Sequence, residues 1–454
     1  MRTLDPAEPV NRFAARLLRD DVNMHGFMLS VSGRPVACAR YAPFREDRPH
    51  RLYSVSKTLT GIAVGMLMED GRLSPDQHIT GFFPDLLPEN PSPWLLRLTL
   101  YDMLRMATCY RKTAYREGFD RDWTLPFFTG SPDHEPGAVF CYDTGCSQVL
   151  AALVRRVTGL EVIDFLEERL FRPLGCRDPR RWLRDPSGCC QGGTGLIMSL
   201  RDLHRIGECL LNGGEGIVPS GFVEEMQKKH IDTPLQEKKE EQYGYGLQCW
   251  RTRAGWAMYG MGGQLSVLCP DRQAVLSTVA DTRLDPAGVQ RVYDAFFGEI
   301  YPFLEDLDLS RPATLDFPAS RLPDSFAVQP LESGRYVFPE DNPLGLAAVE
   351  FAPSAVRLVR GDSSAVLPYK RGEALETAWP GCPEVPALVS ASWLSGGTLR
   401  LRCFAIGDAP CGFDMLLSVR GETRITVQSR CSSDPLTRDY NGIASGIREE
   451  AAAG

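Results

Sequence analysis

The sequence predicts an α+β protein with two domains. Its 454 residues exceed what one ordinary hydrophobic core holds. Strand-like alternation and helix-like periodicity interleave up to about residue 305, whereas prolines separate short alternating segments after that point. We therefore predict an α+β domain over residues 1–305 and a β-rich domain over residues 306–454. The last six residues, EEAAAG, are predicted to form a short disordered tail.

The first domain combines a hairpin, several helices and a later group of strands. Residues 26–41 alternate around a Gly33-Arg34 turn, and apolar residues recur at helical spacing over 54–70, where Gly71 ends the run. Further helices are predicted over 99–107, 148–159, 161–171 and 287–304, and strands over 256–268 and 274–280. In the second domain, paired alternating runs at 390–406 and 413–429 are typical of antiparallel hairpins.

Composition argues against several function classes. The net charge of -8 and the pI of about 5.5 disfavour a nucleic-acid partner, which needs a basic face. The sequence has no run of about 18 apolar residues, so no membrane span is predicted. Acidic residues near the N-terminus are not typical of a signal peptide, so we predict a cytoplasmic location. The sequence does not determine an oligomeric state.

Cysteine and histidine spacing predicts no metal site. The sequence has 14 cysteines and six histidines, but no C-x-x-C pair and no H-E-x-x-H pattern. A load of cysteines this low is far from that of a disulfide scaffold. We therefore predict free thiols and no metal or other cofactor.

One short motif places a serine and a lysine on the same helix face. Only seven of the 50 basic residues are lysines, and Ser54 and Lys57 form the only S-x-x-K match. Burial and the positive end of a helix both lower the pKa of a lysine amine, which can then act as a base toward a serine hydroxyl. The start of the helix also offers an N–H group to an oxyanion.

Two other interpretations of this motif stay open. In the first, Ser54 is only a helix N-cap and the Lys57 amine extends to solvent. In the second, Ser56 competes as the nucleophile. Because Ser56 points away from Lys57, we predict instead that it makes a hydrogen bond in the first turn.

A second motif follows a Pro136-Gly137 turn, where Tyr142 precedes a helix that ends in Val157-Thr158-Gly159. Together with Ser54-Val55-Ser56-Lys57, the Tyr142-Asp143-Thr144 segment resembles the motifs of the serine β-lactamase-like and penicillin-binding-protein-like hydrolases. That family includes class C β-lactamases, D-alanyl peptidases, related esterases and 6-aminohexanoate-dimer hydrolase. The resemblance covers about residues 20–300. It implies a β-lactamase-like fold, in which an antiparallel sheet is flanked by helices and joined to an all-helical region.

The resemblance also implies roles for individual residues. Ser54 would be the acylated nucleophile and Lys57 its general base. Tyr142 would relay protons to the leaving group or activate the water that deacylates the enzyme.

The sequence departs from the family pattern at two motifs. Thr144 stands where the family has an asparagine that binds a substrate amide. The third motif, usually K-T-G or H-x-G, aligns with the segment that begins at Met258 and ends at Gly260, or with Gly260, Met261 and Gly262 in another register. Neither register contains the lysine or histidine that helps to bind the carboxylate of penicillins and cell-wall peptides. The strand backbone can still supply an oxyanion N–H, which we predict at Met261.

These observations predict a serine hydrolase that forms an acyl-enzyme on a small ester or amide. A β-lactamase or D-amino-acid peptidase is the first alternative. The second is a homologue that binds a ligand without turnover, since a fold does not determine a function. The missing cation of the third motif favours the ester or amide substrate over cell-wall substrates.

Overall fold

The protein is described by a computed structural model. The structure describes residues 4–113, 115, 120–322, 333–408, 410–421, 423–432 and 434–449. Of the predicted tail, only Glu449 lies within these residues. No helix in these ranges is both long and apolar enough to span a bilayer.

Helices are concentrated in the first 300 residues. The helices are α1 (Ala7–Arg19), α2 (Val55–Glu69), α3 (Pro93–Arg97), α4 (Leu100–Leu104), α5 (Leu125–Thr129), α6 (Thr144–Thr158), α7 (Val162–Leu166), α8 (Arg172–Leu174), α9 (Leu200–Leu211), α10 (Ser220–Met226) and α11 (Gly288–Glu299). The predicted helix over 161–171 is α7 followed by one π-helical turn, Glu167–Phe171. Helix α6 begins four residues earlier than predicted and ends, as predicted, at Gly159, which has a φ of 78°.

Strands form three sheets. The strands of the first part are β1 (Met24–Val31), β2 (Arg34–Tyr41), β3 (Pro49–Arg51), β4 (Arg181–Trp182), β5 (Leu196–Ser199), β6 (Trp250–Thr252), β7 (Gly255–Gly260), β8 (Gln264–Cys269), β9 (Ala274–Ala280) and β10 (Ala313–Phe317). The strands of the second part are β11 (Gly334–Val337), β12 (Ala348–Ala352), β13 (Ala355–Arg360), β14 (Ser363–Pro368), β15 (Ala374–Trp379), β16 (Cys382–Ser395), β17 (Thr398–Ala405), β18 (Gly412–Arg420), β19 (Arg424–Cys431) and β20 (Gly442–Arg448).

The central sheet of the first part is covered on both faces. Its strand order is β10-β2-β1-β9-β8-β7-β6, and β1 and β2 form the predicted hairpin. Successive residues of β9 alternate between two cores, so Val275 faces one core and Leu276 the other. Helices α1 and α11 cover one face, and α9 with the helical region covers the other. This arrangement confirms the α+β prediction.

Helix α2 lies at the centre of the helical region. Every residue from Val55 to Leu67 is buried, so the helix is enclosed on all sides by protein. A three-stranded sheet, β3-β5-β4, brings the chain to the start of this helix. Any polar side chain on α2 must therefore find its partners inside the protein.

The second part is one antiparallel sheet that nearly closes on itself. Its strand order is β14-β13-β12-β11-β20-β19-β18-β17-β16-β15, and the edge strands β14 and β15 contact each other. One core fills its interior, as the predicted β-rich domain requires. The boundary predicted between residues 305 and 306 stays a prediction. Strand β10, which follows it, pairs in parallel with β2 of the central sheet.

A buried ion-pair network joins the two parts. Asp414 on β18 is 5% exposed and accepts hydrogen bonds from Arg400, Arg402 and Arg430. Arg402 also donates to both carboxylate oxygens of Asp21, after α1, at 2.5 and 2.7 Å. Burial alone would raise the pKa of Asp414, but Arg400 and Arg402 outweigh burial and lower the pKa to about 2.

Replacing Asp414 with asparagine is expected to destabilise the protein by about 3–5 kcal/mol, because it leaves buried guanidinium groups uncompensated. Urea denaturation at pH 7 measures this loss. The depressed pKa of Asp414 adds stability above about pH 4 that is lost as the pH falls toward 2. The unfolding free energy of the variant should therefore vary less over this acidic range than that of the wild type. The matched control is Glu8→Gln in the exposed Glu8–Arg12 pair, which should cost at most about 1 kcal/mol. Equal losses in the two variants would contradict a structural role for Asp414.

Candidate active site

Ser54 lies at a sharp turn between a strand and a buried helix. Strand β3 ends at Arg51 and helix α2 begins at Val55. Between them, Tyr53 has a φ of 46°, a left-handed conformation that costs about 1–2 kcal/mol for a non-glycine residue. Ser54 is half-buried at the N-cap position, yet its side chain makes no capping hydrogen bond. The interpretation of Ser54 as a simple N-cap is therefore wrong.

Lys57 does not reach solvent. Its residue is 1% exposed, and its amine donates to the Ser54 hydroxyl at 3.3 Å, the Thr144 hydroxyl at 3.2 Å and the Gly193 carbonyl at 2.8 Å. None of these three acceptors carries a charge. The structure thus places the amine next to the serine, as the motif spacing predicts, and no carboxylate of the described residues forms an ion pair with it.

Burial lowers the pKa of the Lys57 amine to about 7. Asp143 and Cys146 act in the opposite direction, toward a higher pKa, but they do not outweigh the loss of hydration. Burial also raises the pKa of Asp143. The amine is therefore partly neutral near pH 7, the state in which it can accept a proton.

Tyr142 lies beside both the lysine and the serine. The Lys57 amine is 5.1 Å from the centroid of the Tyr142 ring. Burial raises the pKa of the Tyr142 hydroxyl, and the nearby Ser54 side chain opposes this shift only in part. The hydroxyl therefore stays protonated at neutral pH and can donate a hydrogen bond or a proton.

Thr144 and Gly193 complete the surroundings of the amine. Thr144 begins helix α6, whose N-cap Asp143 accepts a hydrogen bond from the Gly145 N–H at 3.1 Å. Gly193 was not singled out from the sequence. A β-carbon on Gly193 would lie 2.9 Å from the Lys57 amine and 2.6 Å from the Thr144 methyl. A glycine is therefore needed where the loop passes the lysine. The glycine-rich run GCCQGGTGL, residues 188–196, was the sequence feature that could have indicated such a close approach.

Ser56 has the structural role predicted for it. Its hydroxyl donates to the Tyr53 carbonyl at 2.6 Å and accepts from the Leu196 N–H at 2.9 Å. It is fully buried. Ser56 thus ties the first turn of α2 to strand β5 and is not available to a substrate.

An aromatic cluster behind Tyr142 was missed by the motif search. The Trp250 ring lies 5.3 Å from the Tyr142 ring, and the Tyr245 ring lies 4.9 Å from the Trp250 ring. Phe140 packs 5.1 Å from Tyr245 and 5.4 Å from Trp250. These rings come from loops and strands more than 100 residues apart, so sequence spacing could not indicate the cluster.

The third motif needs one correction. The side chain of Met258 is fully buried in the core of the helical region, so it cannot contact a substrate. This residue was predicted as part of the substrate site because the strand register was ambiguous. Strand β7 ends at Gly260 and strand β8 begins at Gln264, so the turn between them is formed by Met261, Gly262 and Gly263. Met261 is 46% exposed.

Gly260 lies directly against the segment that leads to Ser54. A β-carbon on Gly260 would be 2.1 Å from the Leu52 carbonyl, so only glycine allows the two backbones to approach. Gly262 in the same turn has a φ of 88°. Within the described ranges, the N–H groups of Ser54 and Met261 donate to no protein acceptor. Both are thus available to an oxyanion.

No cluster of three or more histidine, cysteine or acidic residues with the geometry of a metal site occurs in the described part of the chain. The site thus consists of a serine, a lysine, a tyrosine and backbone donors. Ser54, Lys57, Tyr142 and Thr144 come together, whereas Met258 does not join them.

Comparison with known proteins agrees with this arrangement. Residues 15–295 match the family model described as Beta-lactamase. The chain is 29% identical over 245 residues to 6-aminohexanoate-dimer hydrolase of Paenarthrobacter ureafaciens, covering 48% of this chain and 61% of that enzyme. It is 27% identical over 154 residues to esterase EstB of Burkholderia gladioli, covering 30% and 39%. The chain thus spans less than two thirds of the length of either relative.

A solved structure extends the likeness to the whole chain. The octameric penicillin-binding protein homologue of Pyrococcus abyssi has a TM-score of 0.52 and 14% identity, covering 98% of this chain and 100% of that one. At this identity the likeness concerns the fold alone. It confirms the predicted β-lactamase-like fold. The family match covers more than half of the 454 residues, so the chain belongs to the beta-lactamase family.

Proposed function

We propose that the protein is a serine hydrolase that acts through an acyl-enzyme on a small ester or amide. The observation that carries the proposal is the buried Lys57 amine, which lies 3.3 Å from the Ser54 hydroxyl and whose hydrogen-bond partners among the described residues are all uncharged. A buried lysine without a contacting carboxylate is costly for folding, and the cost is repaid by a base that works near neutral pH.

Acylation begins with the transfer of the Ser54 proton to the Lys57 amine. The Ser54 oxygen forms a bond to the substrate carbonyl carbon, and the carbonyl electrons move to its oxygen. The N–H groups of Ser54 and Met261 stabilise the resulting oxyanion. When the intermediate collapses, the bond to the leaving group breaks and that group takes a proton.

Tyr142 is the proposed donor of that proton. Its raised pKa keeps the hydroxyl protonated, and the neighbouring Lys57 ammonium, 5.1 Å from the ring, restores the proton. Water then attacks the acyl carbon, and its proton returns through the same groups while Ser54 is released. The protonation state of Tyr142 favours the relay of protons over direct activation of the water.

The proposed substrate class follows from the third motif and from the relatives. The family's cation aligns with Met258 or with Gly260, depending on the register, and neither residue is charged. The third motif therefore offers a substrate carboxylate no cationic side chain. The two relatives described above are named 6-aminohexanoate-dimer hydrolase and esterase EstB. We therefore propose uncharged esters or amides, with a cytoplasmic location remaining a prediction.

Labelling with a fluorophosphonate tests the proposal. The reagent should modify Ser54, identified by mass spectrometry of the labelled peptide. The labelling rate should rise about tenfold per pH unit below pH 7 and level off above it, because only the neutral Lys57 amine accepts the serine proton. Modification elsewhere, or a rate independent of pH, would contradict the roles of both residues.

Turnover assays separate the alternatives. Hydrolysis of p-nitrophenyl butyrate without hydrolysis of a chromogenic cephalosporin supports the esterase or amidase assignment. Rapid cephalosporin turnover would support the β-lactamase alternative. Absence of both labelling and turnover would leave the ligand-binding homologue.

A further inference from the structure

Arg283 contacts three segments of the protein: the residue before Ser54, the turn that carries Met261, and the C-terminal domain. Its side chain is 6% exposed and pairs with both carboxylate oxygens of Asp281, at 2.8 and 3.0 Å. It also donates to the Pro410 carbonyl, in the segment between strands β17 and β18 of the C-terminal domain. Burial would lower the pKa of this guanidinium, but Asp281 outweighs burial and keeps it charged.

Arg283 contacts the residue that sets the position of Ser54. Its guanidinium carbon lies 5.3 Å from the centroid of the Tyr53 ring, and that of Arg51 lies 4.9 Å from the same ring. Tyr53 is 5% exposed and holds the left-handed conformation just before Ser54. Cation–π contacts are attractive, and more strongly so when they are desolvated. Both contacts therefore favour the position of the Tyr53 ring in this strained segment.

Arg283 also adjoins the turn that carries Met261. Its Cγ lies 3.6 Å from the place that a β-carbon on Gly262 would occupy. The N–H of Thr282 donates to the Gly262 carbonyl at 3.0 Å. The segment 281–283 therefore supports this turn.

The C-terminal domain contributes to the same support through a second contact. The Asp408 carbonyl accepts a hydrogen bond from the Arg51 N–H. The Asp408 carboxylate pairs with Arg181 of strand β4 at 2.6 Å. Asp408 and Pro410 thus bind the two arginines that contact the Tyr53 ring, Arg51 through its backbone N–H and Arg283 through its side chain.

We propose that Arg283 is a positioning residue, through which the C-terminal domain holds the N–H groups of Ser54 and Met261 in place for acylation. The proposal rests on the proposed hydrolase function. Arg283 touches no reacting atom. It acts on Ser54 through Tyr53, and on Met261 through Gly262 and Thr282. Displacement of reacting groups by about 1 Å can cost about 100-fold in rate.

The test compares Arg283→Lys with Arg402→Lys in the full-length chain. Both arginines are buried, with side chains 6% and 7% exposed, and both pair with an aspartate near the domain boundary. Lysine keeps the charge but loses the planar, two-pronged contact. In the contacts described, Arg402 touches neither Tyr53 nor the Met261 turn. Its variant therefore shows the effect on activity of weakening the contact between the two domains alone.

Arg283→Lys is expected to lower kcat for p-nitrophenyl butyrate about 10- to 100-fold, with KM changed by less than about threefold. The rate of fluorophosphonate labelling should fall in parallel, and the midpoint of its pH profile should stay near that of the wild type. Arg402→Lys should lower the melting temperature but leave kcat within about twofold.

Equal loss of kcat in the two variants, or a change in KM alone, would overturn the proposal. If Arg283→Lys does not fold by near-ultraviolet circular dichroism, Tyr53→Leu replaces it. That variant removes the ring that both guanidinium groups contact and should show the same loss of kcat. A wild type that is not labelled at Ser54 refutes the hydrolase function. A labelled wild type with an equally fast Arg283→Lys variant refutes only the positioning role.

Discussion

Replacing Ser54 with alanine is expected to lower ester turnover by at least about 10⁴-fold, because the variant lacks the hydroxyl that forms the acyl-enzyme. The unfolding free energy should change by less than about 1 kcal/mol, since the Ser54 side chain is half-buried and does not cap helix α2. Turnover of p-nitrophenyl butyrate and urea denaturation measure the two effects.

Ser56→Ala is the matched control, two residues away in the same helix turn. The substitution leaves the buried Leu196 N–H without its acceptor, which costs about 1–3 kcal/mol. The variant should still be labelled at Ser54. We thus expect Ser54→Ala to lower activity with little loss of stability, and Ser56→Ala to lower stability while Ser54 stays reactive. If Ser54→Ala keeps more than about a tenth of wild-type turnover, Ser54 is not the nucleophile.

Replacing Lys57 with methionine is expected to abolish activity and, at pH 6, to stabilise the fold. Loss of a general base costs about 10²- to 10⁴-fold in rate. Methionine fills a similar volume without a charge to bury. The shift of the lysine pKa from 10.5 to about 7 corresponds to about 5 kcal/mol of burial cost. Lost hydrogen bonds to the Lys57 amine offset part of this gain, so we expect a net increase of about 1–3 kcal/mol.

The pH dependence of this gain has a definite sign. Between pH 7 and 10.5, Lys57 binds a proton in the unfolded chain but not in the folded one, so the stability of the wild type rises with pH. The methionine variant lacks this rise. Its advantage should therefore shrink by about 3 kcal/mol between pH 6 and pH 9. Urea denaturation at several pH values measures it.

Lys370→Met is the control for this experiment, because Lys370 is 64% exposed and pairs only with Glu373 in the contacts described. It should change stability by less than about 1 kcal/mol at every pH. A Lys57→Met variant that is less stable than the wild type at pH 6 would show that the amine is well solvated or well paired. That result would contradict the unfavourable burial of its charge.

The motif residues could be predicted because their relation is local or shared with a known family. Ser54 and Lys57 are three residues apart, and that spacing alone places them on one helix face. Tyr142 was found from its order after the first motif and from the turn before helix α6. The hairpin of residues 26–41 and the glycine at 159 were predictable for the same reason, because two or three adjacent residues determine the type of a turn.

The residues that the sequence did not reveal depend on contacts between distant segments. Gly193 accepts the Lys57 hydrogen bond across 136 residues, and Trp250 meets Tyr142 from a separate strand. The sequence offered two registers for the third motif, two residues apart, and Met258 belongs to only one of them. The pairing of Gly260 with Gln264 shows that the turn between the two strands holds Met261.

Motif spacing and order in the sequence were enough to identify the family and to predict Ser54 as the nucleophile and Lys57 as the base. How the Lys57 amine loses its charge depends on the tertiary structure. Nothing adjacent to Lys57 in the sequence lowers its pKa to about 7; enclosure by helix α6, the Gly193 loop and the rest of the helical region does so. Desolvation is a property of the assembled core, so it has no local signature in the chain.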